Sequence, residues 1–227
     1  MMRQILVVAA HPDDEVLGCG GTIAKLVDEG ASVHVAFLAD GVLSREGDES
    51  EQSKAIDVRR LAARQCCDIL GVESITFGEF PDNMMDSVPL LNIVKKVEEL
   101  VDKYNPDTVF THHGGDLNID HQRVHEAVVT ASRPQKDLPI KTLLFFEVPS
   151  STEWQLPGRV PLFAPNWFVD ISNTVERKIR AFEVYAEELR DWPHPRSIKG
   201  VEYLARWRGA TVGFEVAEAF SLGRELR

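Results

Sequence analysis

The chain has little cysteine: three residues, Cys19, Cys66 and Cys67, in 227. An odd number with two adjacent gives no spaced framework of the kind that staples small secreted domains. No apolar run comes near the roughly 18 residues that a membrane-crossing helix needs. The opening MMRQILVVAAHPDDE turns acidic at Asp13, without the long apolar run and small-residue cleavage site of a signal peptide. These absences predict a reducing compartment, the cytoplasm. Basic side chains are outnumbered: 25 Lys and Arg against 36 Asp and Glu leave a formal net charge of -11. Nucleic acids and anionic membranes are polyanions, so neither is expected as a partner. Internal repeats, low-complexity runs and linkers are missing too. A hydrophobic fraction of 44% and a charged fraction of 27% match a globular chain and exclude disorder, collagen and coiled coil. The length suits one domain over residues 1–227, with a core that needs no staples.

What is present alternates between strand and helix. QILVVAA (4–10) and SVHVAFLA (32–39) are continuous apolar runs, the pattern of strands covered on both faces. Shorter strands are expected at 73–77, 107–112 and 142–148. Helical spacing marks 18–29, 53–70, 88–104, roughly 120–132 and 174–190, with Ser87 as a cap for the third. Asn173 and Glu176 form a capping-box pattern for the last. Residues 40–52 and 149–166 read as loops, and a short helix through Trp207 closes the pattern. The alternation predicts an α/β fold: a Rossmann-like, three-layer arrangement with a mostly parallel sheet. In the doubly wound order 3-2-1-4-5, strands 1 and 4 are neighbours. Ligands bind outside their carboxyl ends, where the strand order reverses.

Two polar clusters follow those two strands. The first is His11-Pro12-Asp13-Asp14-Glu15. The second runs from His112-His113 through Asp116, Asn118 and Asp120 to His121, with His125 a turn later. Of seven histidines, only His34 and His194 lie outside these clusters. Imidazoles beside carboxylates suit Zn²⁺, Fe²⁺ or Mn²⁺, and two His with one carboxylate is a known catalytic zinc set. One cluster can supply a His and an Asp, the other a second His, and the leftover carboxylate can accept a proton from water. His125 fits packing or outer orientation better than ligation. Cys19, Cys66 and Cys67 read as packing residues. A rival motif is Gly18-Cys19-Gly20-Gly21, which resembles a nucleotide or methyl-donor loop. Seven residues separate it from the strand end, where a true fingerprint begins directly.

AHPDDEVLGCGGTIAKL resembles the signature of the PIG-L/LmbE-like zinc-dependent N-deacetylases, the superfamily of N-acetylglucosaminyl-phosphatidylinositol de-N-acetylase. The likeness continues through the DG at 40–41, LGV at 70–72, the Asp120-His121 pair, and HPRS, RWRG and AEAF near the C-terminus. It implies hydrolysis of an N-acetyl group on an amino sugar, with His11, Asp14 and His121 holding one Zn²⁺ per chain. It further implies Asp13 as general acid/base, Asp120 as an orienting aspartate, and Arg59 (or its neighbour Arg60) as a substrate contact. Two positions depart from the pattern. Ala62 stands where a Glu is common, and Asn118 where many members carry a His that stabilises the oxyanion and protonates the amine. Asn118 can donate a hydrogen bond but cannot deliver a proton at neutral pH. His194, between prolines, is the sequence candidate for that proton, with His112 and His113 behind it.

The expected substrate is a small N-acetylated sugar compound. Arg45, Arg59, Arg60, Asp82, Asn83 and Arg196 are candidate contacts for hydroxyls or phosphate, and Trp154, Trp167 and Trp192 are candidate stacking surfaces. A metal-dependent amidase acting on a non-sugar amide is the main rival. The apolar segment 149–168 is a candidate contact for a homo-oligomer.

Overall fold

The computed structural model describes residues 3–39, 41, 49–136, 138–158 and 160–227. Most of the expected loop at 40–52, with Asp40 and Arg45, lies outside them. The strands are β1 (Gln4–Ala9), β2 (Ser32–Ala39), β3 (Ser74–Phe80), β4 (Thr108–His112), β5 (Thr142–Phe146), β6 (Trp167–Asp170) and β7 (Ala217–Glu225). The helices are α1 (Asp14–Asp28), α2 (Glu49–Leu70), α3 (Leu90–Tyr104), α4 (Ile119–Ala131), α5 (Val175–Glu183) and α6 (Ile198–Ala210). One sheet contains all the strands in the order β3-β2-β1-β4-β5-β7-β6. The first five are parallel, and β7 runs antiparallel to both β5 and β6.

The apolar run of β1 is continuous because both faces are covered. Ile5, Val7 and Ala9 pack with α1, α2 and α5, while Leu6, Val8 and Ala10 pack with α3 and α4. Val8 pairs with Thr111, so β1 and β4 end side by side. The two polar clusters therefore leave the sheet together, as the strand order predicts. Among the described residues, no helix is long and apolar enough to cross a membrane.

Several boundaries differ from the sequence reading. The first helix starts at Asp14, so the first cluster is part loop and part helix. It breaks at Cys19 (φ −147°, ψ 21°), and the glycines permit close packing there. A Cβ on Gly18 would run into the Phe146 ring, and one on Gly21 into Ile171. The third helix starts at Leu90 behind Pro89, and Ser87 instead closes a 3-10 turn. Proline's fixed φ suits a helix start better than the serine does. The fifth helix stops at Glu183, and Thr174, not Asn173, stands at its N-cap. β6 is only four residues long and β7 carries no apolar run, and the sequence reading contains neither.

The glycine loop does carry an anion at its helix start, but that anion belongs to the protein. Both oxygens of Glu218 on β7 accept backbone N–H groups, Gly21 at 2.9 Å and Thr22 at 2.7 Å. Lys178 neutralises the carboxylate at 2.6 Å and also bonds Leu17 O. A phosphate has no free donors there, which sets aside the nucleotide and methyl-donor reading.

Candidate metal centre

His11, Asp14 and His121 offer donor atoms that all lie within 4.8 Å of one another, and all three are buried. Asp14 is the hinge of the group. Its Oδ2 accepts the His11 backbone N–H at 2.8 Å, which folds the turn before α1 back on itself. Its Oδ1 lies 3.3 Å from His121 Nε2 and is buried without a hydrogen bond. A buried carboxylate oxygen without a donor is costly. A divalent cation between Oδ1, His121 Nε2 and a His11 nitrogen satisfies it, and the donor chemistry is that of a catalytic zinc site.

Each imidazole is oriented from behind by a carboxylate, as metal-binding histidines usually are. Asp120 Oδ2 lies 2.9 Å from His11 Nε2, which turns Nδ1 toward Asp14 at 3.5 Å. Asp120 is itself held by the N–H groups of Asn83 (2.7 Å) and Met85 (2.9 Å). Asp116 Oδ1 lies 3.1 Å from His121 Nδ1. Asp116 in turn accepts from the Ser151 hydroxyl and from Thr152 Oγ1 at 2.5 Å. His112 stacks on His121 with ring centroids 3.9 Å apart, and its Nε2 accepts the Ala10 N–H. A second group, His11 with Asp82 and Asp120, also converges. The backbone bonds to Asp120 mark it as the orienting carboxylate of that pair.

Charge at the centre is tightly coupled. Burial works against the His121 cation, yet Asp14 and Asp116 push that imidazole up to about 9. Burial likewise opposes the Asp14 anion, and His121 and His112 still hold its carboxyl well below the usual range. The carboxylates demand positive charge here, which either imidazolium protons or a divalent cation supplies.

Asp13 faces the opening of the centre. It has φ 115° and ψ −28°, a left-handed conformation that costs a non-glycine residue about 1–3 kcal/mol. Burial lifts its carboxyl to about 6 against the pull of Arg196 and Arg59. Arg196 donates to Asp13 Oδ2 at 3.0 Å, and Arg59 approaches it at 3.9 Å. Both arginines also grip Glu188, at 3.2 Å and 2.8 Å. A polar cavity of about 160 Å³ opens over His11, Asp13, His121, Arg59, Arg196 and Asn118.

Arg60, the next residue on α2, lies 5.4 Å from the Phe77 ring centroid and does not line the cavity. His194 does not line the cavity. Its Nδ1 accepts the Arg196 N–H at 3.0 Å and its ring meets Trp154 edge-on. Asn118 caps α4, with Oδ1 accepting the N–H groups of Asp120 and His121, while Nδ2 donates to Asn83. That capping role favours Asn over His at this position. Ala62 is buried in the core, and the acid that meets Arg59 is Glu188. His125 donates from Nδ1 to the His112 carbonyl. His113 meets Pro161 O, Trp167 lies in β6, and Trp192 packs edge-on against Tyr203. Asp116, Glu188 and Tyr185 received no role from the sequence. Asp116 had a visible signal, a carboxylate inside the histidine cluster. Glu188 and Tyr185 had none, since only the fold returns the segment after α5 to the site.

Comparisons with known proteins identify the family and the fold. Residues 6–132 match the PIG-L family model, described as GlcNAc-PI de-N-acetylase. The diacetylchitobiose deacetylase of Thermococcus kodakarensis is 30% identical over 204 residues, covering 83% of this chain and 71% of that protein. A probable N-acetyl-alpha-D-glucosaminyl L-malate deacetylase 2 of Bacillus cereus is 29% identical over 148 residues, covering 62% of this chain and 66% of that protein. The 4-oxalmesaconate hydratase of Pseudomonas putida is 28% identical over 212 residues, covering 85% and 76%. In structure, the N,N'-diacetylchitobiose deacetylase of Pyrococcus horikoshii superposes with a TM-score of 0.79 at 21% identity, covering 98% of this chain and 84% of that one. The chain belongs to the PIG-L family of deacetylases.

Proposed function

We propose that the protein is a zinc-dependent hydrolase that removes the acetyl group from an N-acetylated amino-sugar compound. The observation that carries the reading is the buried His11–Asp14–His121 donor set with Asp13 beside it, in a family whose named members include sugar deacetylases. Zn²⁺ fits two imidazoles and one carboxylate, and Fe²⁺ or Mn²⁺ accepts the same donors. A cation held there would polarise the amide carbonyl and lower the pKa of a bound water from ~15.7 towards roughly 7.

The chain's own groups do the rest. Asp13 Oδ takes a proton from the attacking water. Asn118 has two N–H bonds on Nδ2, one of them to Asn83, and the second serves the carbonyl oxygen as it gains charge. The proton on Asp13 then passes to the departing amine, because Asn118 has none to give and His194 stands behind Arg196. Arg196 holds Asp13 in place, and Arg59 with Glu188 forms the wall that receives sugar hydroxyls. Glu188 and Arg196 lie beyond the family-matched span, so we take residues 1–227 as one catalytic domain. Three free, buried cysteines suit a reducing compartment.

The hydratase relative supplies the second reading, water addition to an unsaturated polycarboxylate. The pocket disfavours that anion. Among the described residues that line it, three acids, Asp13, Asp82 and Glu188, stand against two arginines, Arg59 and Arg196. A substrate panel separates the readings: N-acetylglucosamine glycosides and diacetylchitobiose, non-sugar acetamides, and unsaturated dicarboxylates. Acetate released from the sugars alone supports the proposal. Turnover of the non-sugar amides or the unsaturated acids in preference to the sugars discards it.

A further inference from the structure

Asp13 keeps its positive φ because something holds its peptide. The N–H of Asp13 donates to Oε2 of Glu15 at 2.9 Å. Glu15 is fully buried. Its other oxygen, Oε1, accepts from the Tyr185 hydroxyl at 2.6 Å and from Cys66 Sγ at 3.2 Å. Cys66 belongs to α2 and Tyr185 follows α5, so distant parts of the chain converge on one carboxylate. Arg59, which faces Asp13, lies 5.9 Å from the Tyr185 ring centroid. A first-turn acid that served only the helix dipole would need none of these partners and could stand in water.

We propose that Glu15 is a positioning residue: clamped by Tyr185 and Cys66, it fixes the Asp13 peptide so that the Asp13 carboxylate stays aimed at the reacting water. This rests on the reading of Asp13 as proton acceptor. Glu15 touches neither substrate nor metal. It is distinct from Asp14 and Asp13, whose carboxylates face the centre, because its side chain turns away into the core.

The test uses the full chain in two arms. The first is kinetic, with zinc-loaded protein and diacetylchitobiose. Glu15→Gln keeps an oxygen for the Asp13 N–H and presents its amide to the Tyr185 oxygen, so it retains most of the activity. Glu15→Leu removes both acceptors, and kcat falls about 10²-fold, the scale of a ~1 Å misplacement, with KM and zinc content unchanged. In an Asp13→Asn background the same Glu15→Leu change costs nothing more, since residues acting as a unit are not additive. Tyr185→Phe gives a smaller loss with the same pattern, and decides the cycle if Glu15→Leu does not fold. The second arm is amide hydrogen exchange on metal-free protein. The Asp13 amide is protected in the wild type and in Glu15→Gln, and exchanges faster in Glu15→Leu or Tyr185→Phe. An undiminished loss in the Asp13→Asn background overturns the proposal, as does unchanged Asp13 exchange. Full activity of Asp13→Asn alone is a separate failure, of the acceptor reading, and leaves the exchange arm to judge Glu15.

Discussion

At the scale of single residues, two carboxylates of the site do opposite work through their surroundings. Asp14 accepts a backbone N–H and faces two imidazoles, which keep it ionised as a ligand. Asp13 lines the opening of the cavity, and burial raises it to about 6 despite Arg196 and Arg59. General acid–base catalysis is typically worth ~10²–10⁴-fold, so Asp13→Asn loses activity on that scale while metal content stays at the wild-type level. Near-normal kcat in that variant removes the role. Asp13 must be ionised to take a proton, so kcat/KM falls as pH drops through its pKa. A bound cation lowers that value, which places the acid limb no higher than about 6, and Asp13→Asn abolishes the limb. Asp116 is the residue that sequence reasoning left without work. Its Oδ1 lies 3.1 Å from His121 Nδ1, behind the proposed ligand, so Asp116→Ala is expected to weaken zinc binding ~10–100-fold, measured by competition with a chromogenic chelator. Unchanged zinc affinity would show that the Ser151–Thr152–Asp116 chain is only structural.

At the scale of elements, the parallel half of the sheet was legible because β1 and β2 are apolar on both faces and strands alternate with helical spacing along the chain. β6 and β7 were not. Ala217–Glu225 reads AEAFSLGRE, and its burial fades along its length, so neither alternation nor an apolar run marks it. The strand matters nonetheless, since it brings Glu218 to the glycine loop. That loop resembles a phosphate site because two successive backbone N–H groups, of Gly21 and Thr22, point at one anion. Only the fold reveals that a carboxylate and Lys178 already fill it. Removing one partner of a buried pair typically costs ~3–5 kcal/mol, so Lys178→Met lowers the unfolding free energy by about that amount in denaturant titration. A loss under ~1 kcal/mol, the range of exposed pairs, contradicts this view of the loop.

At the scale of the whole molecule, the metal donors were legible because two histidine-rich clusters follow strands that the doubly wound order makes neighbours. The rest of the pocket was not, because it comes from far along the chain. Arg196 and Glu188 reach Asp13 and Arg59 only after β5, β6 and α5 have wrapped round the sheet, and no short-range pattern encodes that return. His194 was a natural choice for a proton donor in a proline-flanked motif, but the backbone turns Arg196 to the cavity and leaves the histidine behind it. The central claim is that the three converging side chains bind a cation on which acetate release depends. The direct measurement is to strip the purified protein with a chelator and titrate zinc back, following bound metal and acetate from diacetylchitobiose, with His121→Ala in parallel. About one zinc per chain is expected, with activity that rises with occupancy and loss of both in the variant. A wild type that takes up no zinc, or that releases acetate equally well without it, rules out His11, Asp14 and His121 as the holders of a catalytic metal.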